Sequence, residues 1–318
     1  MTAKPHGHRD TSASDRGPRR ILVLTNERDY AADRIVHLLH KEGHHVDRWH
    51  LDTQATRTIP VDWHPTDEPV SADYDSIWLR QFLPEVTTAN TTREVDDTLV
   101  SREQWRTWLT DLAEGSRSRW MNPLWASRRA ENKLIQLREA GTVGLSVPVT
   151  VVTNSRQTAV DHARSHGPCV VKTVASAYHA FSDSSFVFTR PLVDALAAGD
   201  AEWKTQPLVV QQRIEPCTDV RVIVVDGFAA AARTSVDGVD WRTRSGDATW
   251  VRHELDPSTR KACIALVERL GLVYGAIDLA LDDTNHWFLE CNQAGEFAFI
   301  DTPLELSVAP AIANWLSS

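Results

Sequence analysis

The sequence predicts a mixed α/β and α+β chain in three units: an N-terminal parallel-sheet domain, a central domain and a C-terminal antiparallel-sheet domain. Three observations predict it. Strand-like apolar runs alternate with helical spacing through about residue 120, the signature of a parallel sheet with crossover helices. From Leu208 onward, the runs Leu208–Gln212, Val220–Val225 and Phe228–Thr234, with Asp226-Gly227 between the last two, read as antiparallel hairpins. The 318 residues, 42% hydrophobic and 24% charged, exceed one compact core and suit two or three modules of ordinary globular composition.

In order, residues 1–18 are polar and aperiodic and read as a disordered tail. Residues 19–120 form the first domain. Ile21 to Thr25 is a short β-rich run, and Tyr30 to Lys41 places Ile35, Leu38 and Leu39 at helical spacing before Gly43. His45 to Leu51 and Ile77 to Leu79 read as strands, and Arg102 to Leu112 as a helix ending before Gly115. The central unit, 121–207, opens at Trp120-Met121-Asn122-Pro123. It has a helix from Arg128 to Ala140 and strands near Val147–Val152 and Cys169–Val174. The third unit, 208–318, adds to its hairpins a helix from Pro257 to Leu270 and the strand pair Tyr274–Leu281 and His286–Cys291.

A net charge of −9 argues against nucleic acid as a partner, since phosphate neutralisation needs a concentrated basic surface. Arg128, Arg129, Lys133 and Arg138 lie close together, for which a solvated helix face is the plainer reading. No apolar run approaches the roughly 20 residues that span a membrane. Four scattered cysteines without a CxxC pair point to a cytoplasmic protein with neither disulfide framework nor zinc site.

The strongest chemical signal is Asp278 followed by Glu290-Cys291-Asn292. Side chains alternate along a strand, so Glu290 and Asn292 share a face. A turn at Asp282–Asn285 brings Asp278 within about one residue of register with them. Two carboxylates and an amide oxygen among apolar strands need a compensating charge, and a hard cation such as Mg²⁺ supplies it. Strand-edge carboxylates facing water are the competing reading. Lys172 ends the apolar run Cys169-Val170-Val171, a place for a charge that meets an anion. Taken alone, Lys133 reads as a solvated helix residue. The run Val209 to Pro216, followed by Asp219-Val220-Arg221, is a strand passing into a linker. It offers backbone groups to an adenine edge and an acid to ribose hydroxyls, though an edge strand entering a turn looks the same.

Lys133, Lys172, the linker and Asp278…Glu290-Cys291-Asn292 occur in the order found in the ATP-grasp ligases, which the chain resembles. The resemblance implies an ATP-grasp fold, with a pre-ATP-grasp domain at the N-terminus, and ATP and Mg²⁺ as cofactors. It implies that Lys133 and Lys172 contact phosphates, that Gln212, Arg213 and Ile214 form the adenine hinge, and that Asp219 lies near the ribose. Asp278, Glu290 and Asn292 would hold the metal. Asp240-Trp241-Arg242-Thr243-Arg244 resembles the phosphate-binding stretch of RimK-type glutamate ligases, with Arg242 on the γ-phosphate. Arg242 and Arg221 would then stabilise the phosphoryl and oxyanion charges, and Arg221, Arg233, Arg242 and Arg244 would form a local basic patch for an acidic peptide.

A closer resemblance is to the graspetide synthetases, the macrocyclases of microviridin-like peptides. It rests on Ile77 to Arg80, Trp120 to Ala126 running into Arg128–Lys133, Asp240-Trp241-Arg242, and Leu289 to Phe297. It implies a precursor peptide partner, with a leader and a core rich in Thr/Ser and Asp/Glu, whose side chains are joined as esters or amides. The chain departs from ATP-grasp enzymes with a glycine-rich lid: Thr173 to Arg190 contains no glycine and offers Ser176, Ser182, Ser184 and Ser185. A RimK-like ligase using a free amino acid and a non-catalytic ATP-binding module remain alternatives. His179 and His253 are general-base candidates by residue type alone, and a homodimer is compatible with the sequence.

Overall fold

Capping and turn chemistry set the element boundaries, and three sheets follow from them. The computed structural model describes residues 17–50, 73–80, 92–174, 189–197, 201–234 and 248–318. Nearly all of the tail expected over 1–18 lies outside them, as do Leu51, Ser176, His179, Ser182, Ser184, Ser185 and the segment Asp240 to Arg244.

The first sheet is built from β1 (Arg20–Thr25), β2 (His45–His50), β3 (Ser76–Leu79) and β4 (Arg119–Met121), in the order β2-β1-β3-β4 and parallel throughout. Between them run α1 (Tyr30–Lys41) and α2 (Thr92–Glu114). Asp29 caps α1, its side chain accepting from the Ala32 amide at 3.1 Å, and Gly43 follows the helix at positive φ.

The single helix expected from Arg128 to Ala140 is two, α3 (Leu124–Ala130) and α4 (Lys133–Thr142). Asn132 makes the break: its side chain accepts from the amides of Leu134 and Ile135, so a new helix starts at Lys133. The second sheet comprises β5 (Thr150–Thr153), β6 (Cys169–Thr173), β7 (Arg190–Pro191) and β8 (Leu208–Gln212), in the order β5-β8-β6-β7. The helices α5 (Arg156–His166), α6 (Leu192–Ala197) and α7 (Ala201–Thr205) connect its strands. Leu208–Gln212, placed from sequence in the third unit, pairs instead with β5 and β6. Its periodicity marks it as a strand without naming its neighbours.

The third sheet is antiparallel: β9 (Thr218–Val225), β10 (Phe228–Thr234), β11 (Val251–His253), β12 (Tyr274–Leu281) and β13 (His286–Asn292), ordered β11-β10-β9-β12-β13. Asp226 and Gly227 both take positive φ, the two-residue turn that suits a twisted hairpin. One face carries Val220, Val222, Val224, Ile277 and Leu279 against α8 (Pro257–Arg269). The other carries Ile223, Val225, Tyr274 and Ala276. It is closed by α9 (Ala298–Leu304) and α10 (Val308–Ser317), with α10 also packing on α1. The chain's last helix thus returns to its first.

The sheet is strongly curled. Edge strands β11 and β13 would lie about 19 Å apart in a flat five-stranded sheet, yet His253 Nε2 and His286 Nε2 are 3.1 Å apart. Among the described residues, no helix is long and apolar enough to cross a membrane, and the four cysteines are free.

Candidate functional site

Register assembles the site. Arg221 on β9 lies directly opposite Asp278 on β12, and Asp278 lies directly opposite Glu290 on β13. Three charged residues therefore cross three neighbouring strands on one face, the register expected for the two carboxylates. Asp219 and Asn292 share that face, two residues along their strands from Arg221 and Glu290. A bulge after Asp278 then shifts the pairing to Leu279 opposite Phe288, returning both to the apolar side.

Each carboxylate meets a cation. Arg221 Nη1 donates to Asp278 Oδ1 at 2.6 Å, and both residues are buried. Lys133 Nζ lies 3.8 Å from Glu290 Oε2. At 7% exposure, Lys133 is not the solvated helix residue that its local sequence suggests. The clamp that turns it inward is Gln136, one turn along α4. The Gln136 amide donates to Cys291 O at 2.8 Å and accepts from Cys291 N at 2.8 Å, docking the helix on the edge of β13. The Lys133 amide donates to Val174 O at 3.3 Å, just past the strand that carries Lys172. The start of α4 thus stands between the carboxylate face and the second sheet.

On that second sheet, Lys172 Nζ donates to Gln211 Oε1 at 2.9 Å, and Gln211 Nε2 donates to Thr150 Oγ1 at 3.0 Å. At the end of β8 the Gln212 amide donates to Val149 O, and just beyond it the Arg213 amide donates to Pro168 O, both at 2.8 Å. Of the three amides expected at the adenine edge, those of Gln212 and Arg213 are therefore committed to the fold. Arg213 pairs with Glu215 at 3.0 Å.

Two sequence expectations change. Arg233 alternates with Ala232, the residue opposite Arg221, so it lies on the other face of the sheet. Arg221 and Arg233 do not form one basic patch. Of Arg128, Arg129, Lys133 and Arg138, read as a solvated helix face, Arg128 stacks on Trp125 at 4.9 Å, Arg129 pairs with Glu139 at 2.6 Å and Arg138 is exposed, whereas Lys133 faces inward.

A second layer of buried polar residues was not found from sequence. Asn122, 1% exposed, donates to Tyr274 O (2.8 Å) and Gln293 O (2.9 Å) and accepts from the amides of Val273 and Tyr274 at 2.7 Å each. Arg80 Nε donates to Asp29 Oδ2 at 2.5 Å, and its Nη2 is ion-paired with Glu296. Burial opposes the Arg80 charge, but the Asp29 and Glu296 carboxylates outweigh it, so its pKa is raised. Tyr274 Oη donates to Gly295 O at 2.6 Å, and burial raises the pKa of that phenol. A Cβ on Gly295 would stand 2.5 Å from Ala276 Cβ and 2.8 Å from Arg221 Nη2, so only glycine lets this loop lie against the site. The available signal was location: except for Asp29, the cap of α1, these residues fall within the stretches Ile77–Arg80, Trp120–Ala126 and Leu289–Phe297, or, for Tyr274, at the start of β12.

His253 meets His286 rather than standing alone, and His286 Nδ1 lies 3.7 Å from Asp256 Oδ2. Burial first, then the neighbouring ring, lowers the His253 pKa. Among the described residues, no group of three or more His, Cys, Asp or Glu converges as a metal site. The strand face instead offers two carboxylates and the Asn292 amide, whose oxygen accepts from the Ala294 amide at 2.9 Å.

The chain is similar over most of its length to several solved structures. Macrocyclase MdnC from Microcystis aeruginosa MRC, bound with precursor peptide MdnA, matches with a TM-score of 0.76 and 21% identity, over 94% of this chain and 99% of its own. A RiPP-associated ATP-grasp ligase from Chryseobacterium gregarium, in complex with ADP and a leader and core peptide, gives 0.77 and 21%, over 94% and 96%. The ATP-grasp ligase PsnB, complexed with a minimal precursor, gives 0.72 and 20%, over 94% and 98%. At these identities the likeness establishes the fold. No curated protein matches the chain. The model of the RimK-like ATP-grasp domain matches residues 130–316, more than half the chain and all of the charged face. The order of the lysines and carboxylates in the sequence, the two sheets that present them and this match agree: the chain belongs to the RimK-like ATP-grasp ligase family.

Proposed function

We propose that this chain is an ATP- and Mg²⁺-dependent macrocyclase of a ribosomally made precursor peptide. It activates Asp or Glu side chains as acyl phosphates and joins them to Thr, Ser or Lys side chains as esters or amides. The observation that carries this reading is the in-register face Arg221–Asp278–Glu290, with Lys133 against Glu290. Its support is a fold shared over 94% of the chain with ligases whose structures hold precursor peptides.

The donor set fits a hard divalent ion. Asp278 and Glu290 present oxygen from adjacent strands, and Asn292 adds an amide oxygen two residues on. Bound there, Mg²⁺ supplies charge neutralisation for a triphosphate. Lys133 and Lys172 bind phosphate oxygens, moving from their contacts with Glu290 and Gln211. Gln212, Arg213 and Ile214 form the adenine edge, chiefly through carbonyls and the Ile214 amide, because the other two amides are spoken for. Asp219 accepts from the ribose. Arg221 holds charge that develops on the phosphoryl and tetrahedral oxygens, and Arg242, outside the described residues, does the same at the γ-phosphate.

The test is incubation of the purified protein with Mg-ATP and a candidate precursor, a short leader-bearing peptide whose core is rich in Thr/Ser and Asp/Glu. Phosphate release with loss of one water per ring by mass spectrometry is the expected result. Phosphate release with free glutamate, and none with the peptide, would instead make this a RimK-like amino-acid ligase. Nucleotide binding without turnover on either would make it a binding module.

A further inference from the structure

The loop between β13 and α9, residues 293–297, meets Arg221 through the Glu296 carbonyl and is itself held at several points. Asn122 donates to Gln293 O (2.9 Å), Tyr274 to Gly295 O (2.6 Å), and Glu296 is ion-paired with Arg80. The Glu296 carbonyl accepts from Arg221 Nη2 at 3.1 Å, so the loop fixes one fork of the guanidinium while Asp278 fixes the other. Arg80 is fixed in turn. Its side chain is 1% exposed, Asp29 holds Nε, and the rings of Trp78 and Phe297 flank it at 5.5 and 5.4 Å.

We propose that Arg80, which follows β3 in the N-terminal sheet, is a positioning residue for Arg221, acting through Glu296 and its carbonyl. This rests on the ligase reading of the Arg221–Asp278–Glu290 face and adds to it the residue that sets the arginine's angle. A buried arginine between two carboxylates is a poor way to gain stability, because desolvation consumes most of the attraction; its use is to specify one geometry. That geometry is the register between the end of the parallel sheet and the loop under Arg221. Arg80 needs a planar fork, with Nε toward Asp29 and Nη2 toward Glu296, and the point charge of lysine does not reproduce it. Gly295 pressed against Ala276 and Arg221 leaves the loop little room for an alternative pose.

The experiment is a double-mutant cycle of Arg80→Lys and Arg221→Lys, read as kcat and KM for the precursor peptide and as Mg-ADP affinity by calorimetry. Arg80→Lys alone is expected to lower kcat on the order of 10²-fold, the effect of a small misplacement at a reacting centre, with ADP affinity and peptide KM nearly unchanged. In the Arg221→Lys background the same change should cost almost nothing further, because the group it positions is already gone. Equal costs in both backgrounds, or an unchanged kcat, overturn the proposal. Glu296→Gln keeps the loop's shape, breaks the same ion pair and should give the same non-additivity if Arg80→Lys folds poorly. If the wild-type protein turns over no peptide, the ligase reading fails separately. Hydrogen exchange then decides positioning: Arg80→Lys must speed exchange in 293–298 and 218–222 while leaving 208–212 unchanged, and no change in 293–298 overturns it.

Discussion

In the five-stranded sheet, charged residues arrive in register from three neighbouring strands, and Asp278 and Glu290 each have a cation against them. In the four-stranded sheet, Lys172 reaches the neutral amide of Gln211. The first arrangement is set before any ligand arrives and is interlocked with the fold, so removing one member unbalances a buried charge. The second holds its lysine through a hydrogen bond that a phosphate can replace. Damage to the first should therefore appear in stability as strongly as in chemistry, and damage to the second chiefly in ligand affinity.

Asp278→Asn is the hardest test of that contrast. It removes the negative charge 2.6 Å from the buried Arg221 guanidinium, so we expect about 4 kcal/mol of destabilisation in denaturant unfolding, together with loss of turnover. A stable, inactive Asp278→Asn would break the comparison. Asn122→Ala leaves two carbonyls and two amides around Tyr274 and Gln293 short of a partner, and about 3 kcal/mol should be lost in the same assay. Lys172→Met deprives the buried Gln211 amide oxygen of this donor, so it should cost about 1 kcal/mol in unfolding while weakening Mg-ADP binding by about 2 kcal/mol, roughly 30-fold, in calorimetry.

The smallest effect is at the curled edge. His253 and His286 both have pKa values lowered by burial first, so the unfolded chain, near 6.5, takes up protons before the folded one. Stability is then fully present above about pH 6.5 and falls as pH drops below it. His286→Gln should flatten the midpoint between pH 7.5 and about 5.5; an unchanged slope would show that the pair does not couple to folding.

Much of the carboxylate face was legible because its logic is local. Asp278 and Glu290 sit on the two arms of one hairpin, and the Asp282–Asn285 turn sets their register. Helix starts at Asp29, Asn132 and Asp256 are also local, since each side chain caps amides two or three residues ahead. Asn132 nonetheless sits inside a stretch whose spacing alone predicts one continuous helix. Pairings between distant segments were not legible. Nothing in Leu208–Gln212 says that β5 and β6 flank it, and nothing near Gln136 says that it will clasp Cys291, 155 residues on. The stretches that carry the family resemblance marked the right places without their roles. Arg80, Asn122 and Glu296, from three such stretches, meet at the loop beneath Arg221.

The most direct test of the central claim is Mn²⁺ uptake followed by electron paramagnetic resonance, with and without ADP, in the wild type and in Glu290→Gln. One ion bound per chain with nucleotide present, and little without it or in the variant, is the expected result: the in-register carboxylates and the phosphates hold the ion together. Equal Mn²⁺ and ADP uptake by the wild type and Glu290→Gln would place the metal and nucleotide elsewhere and contradict the account.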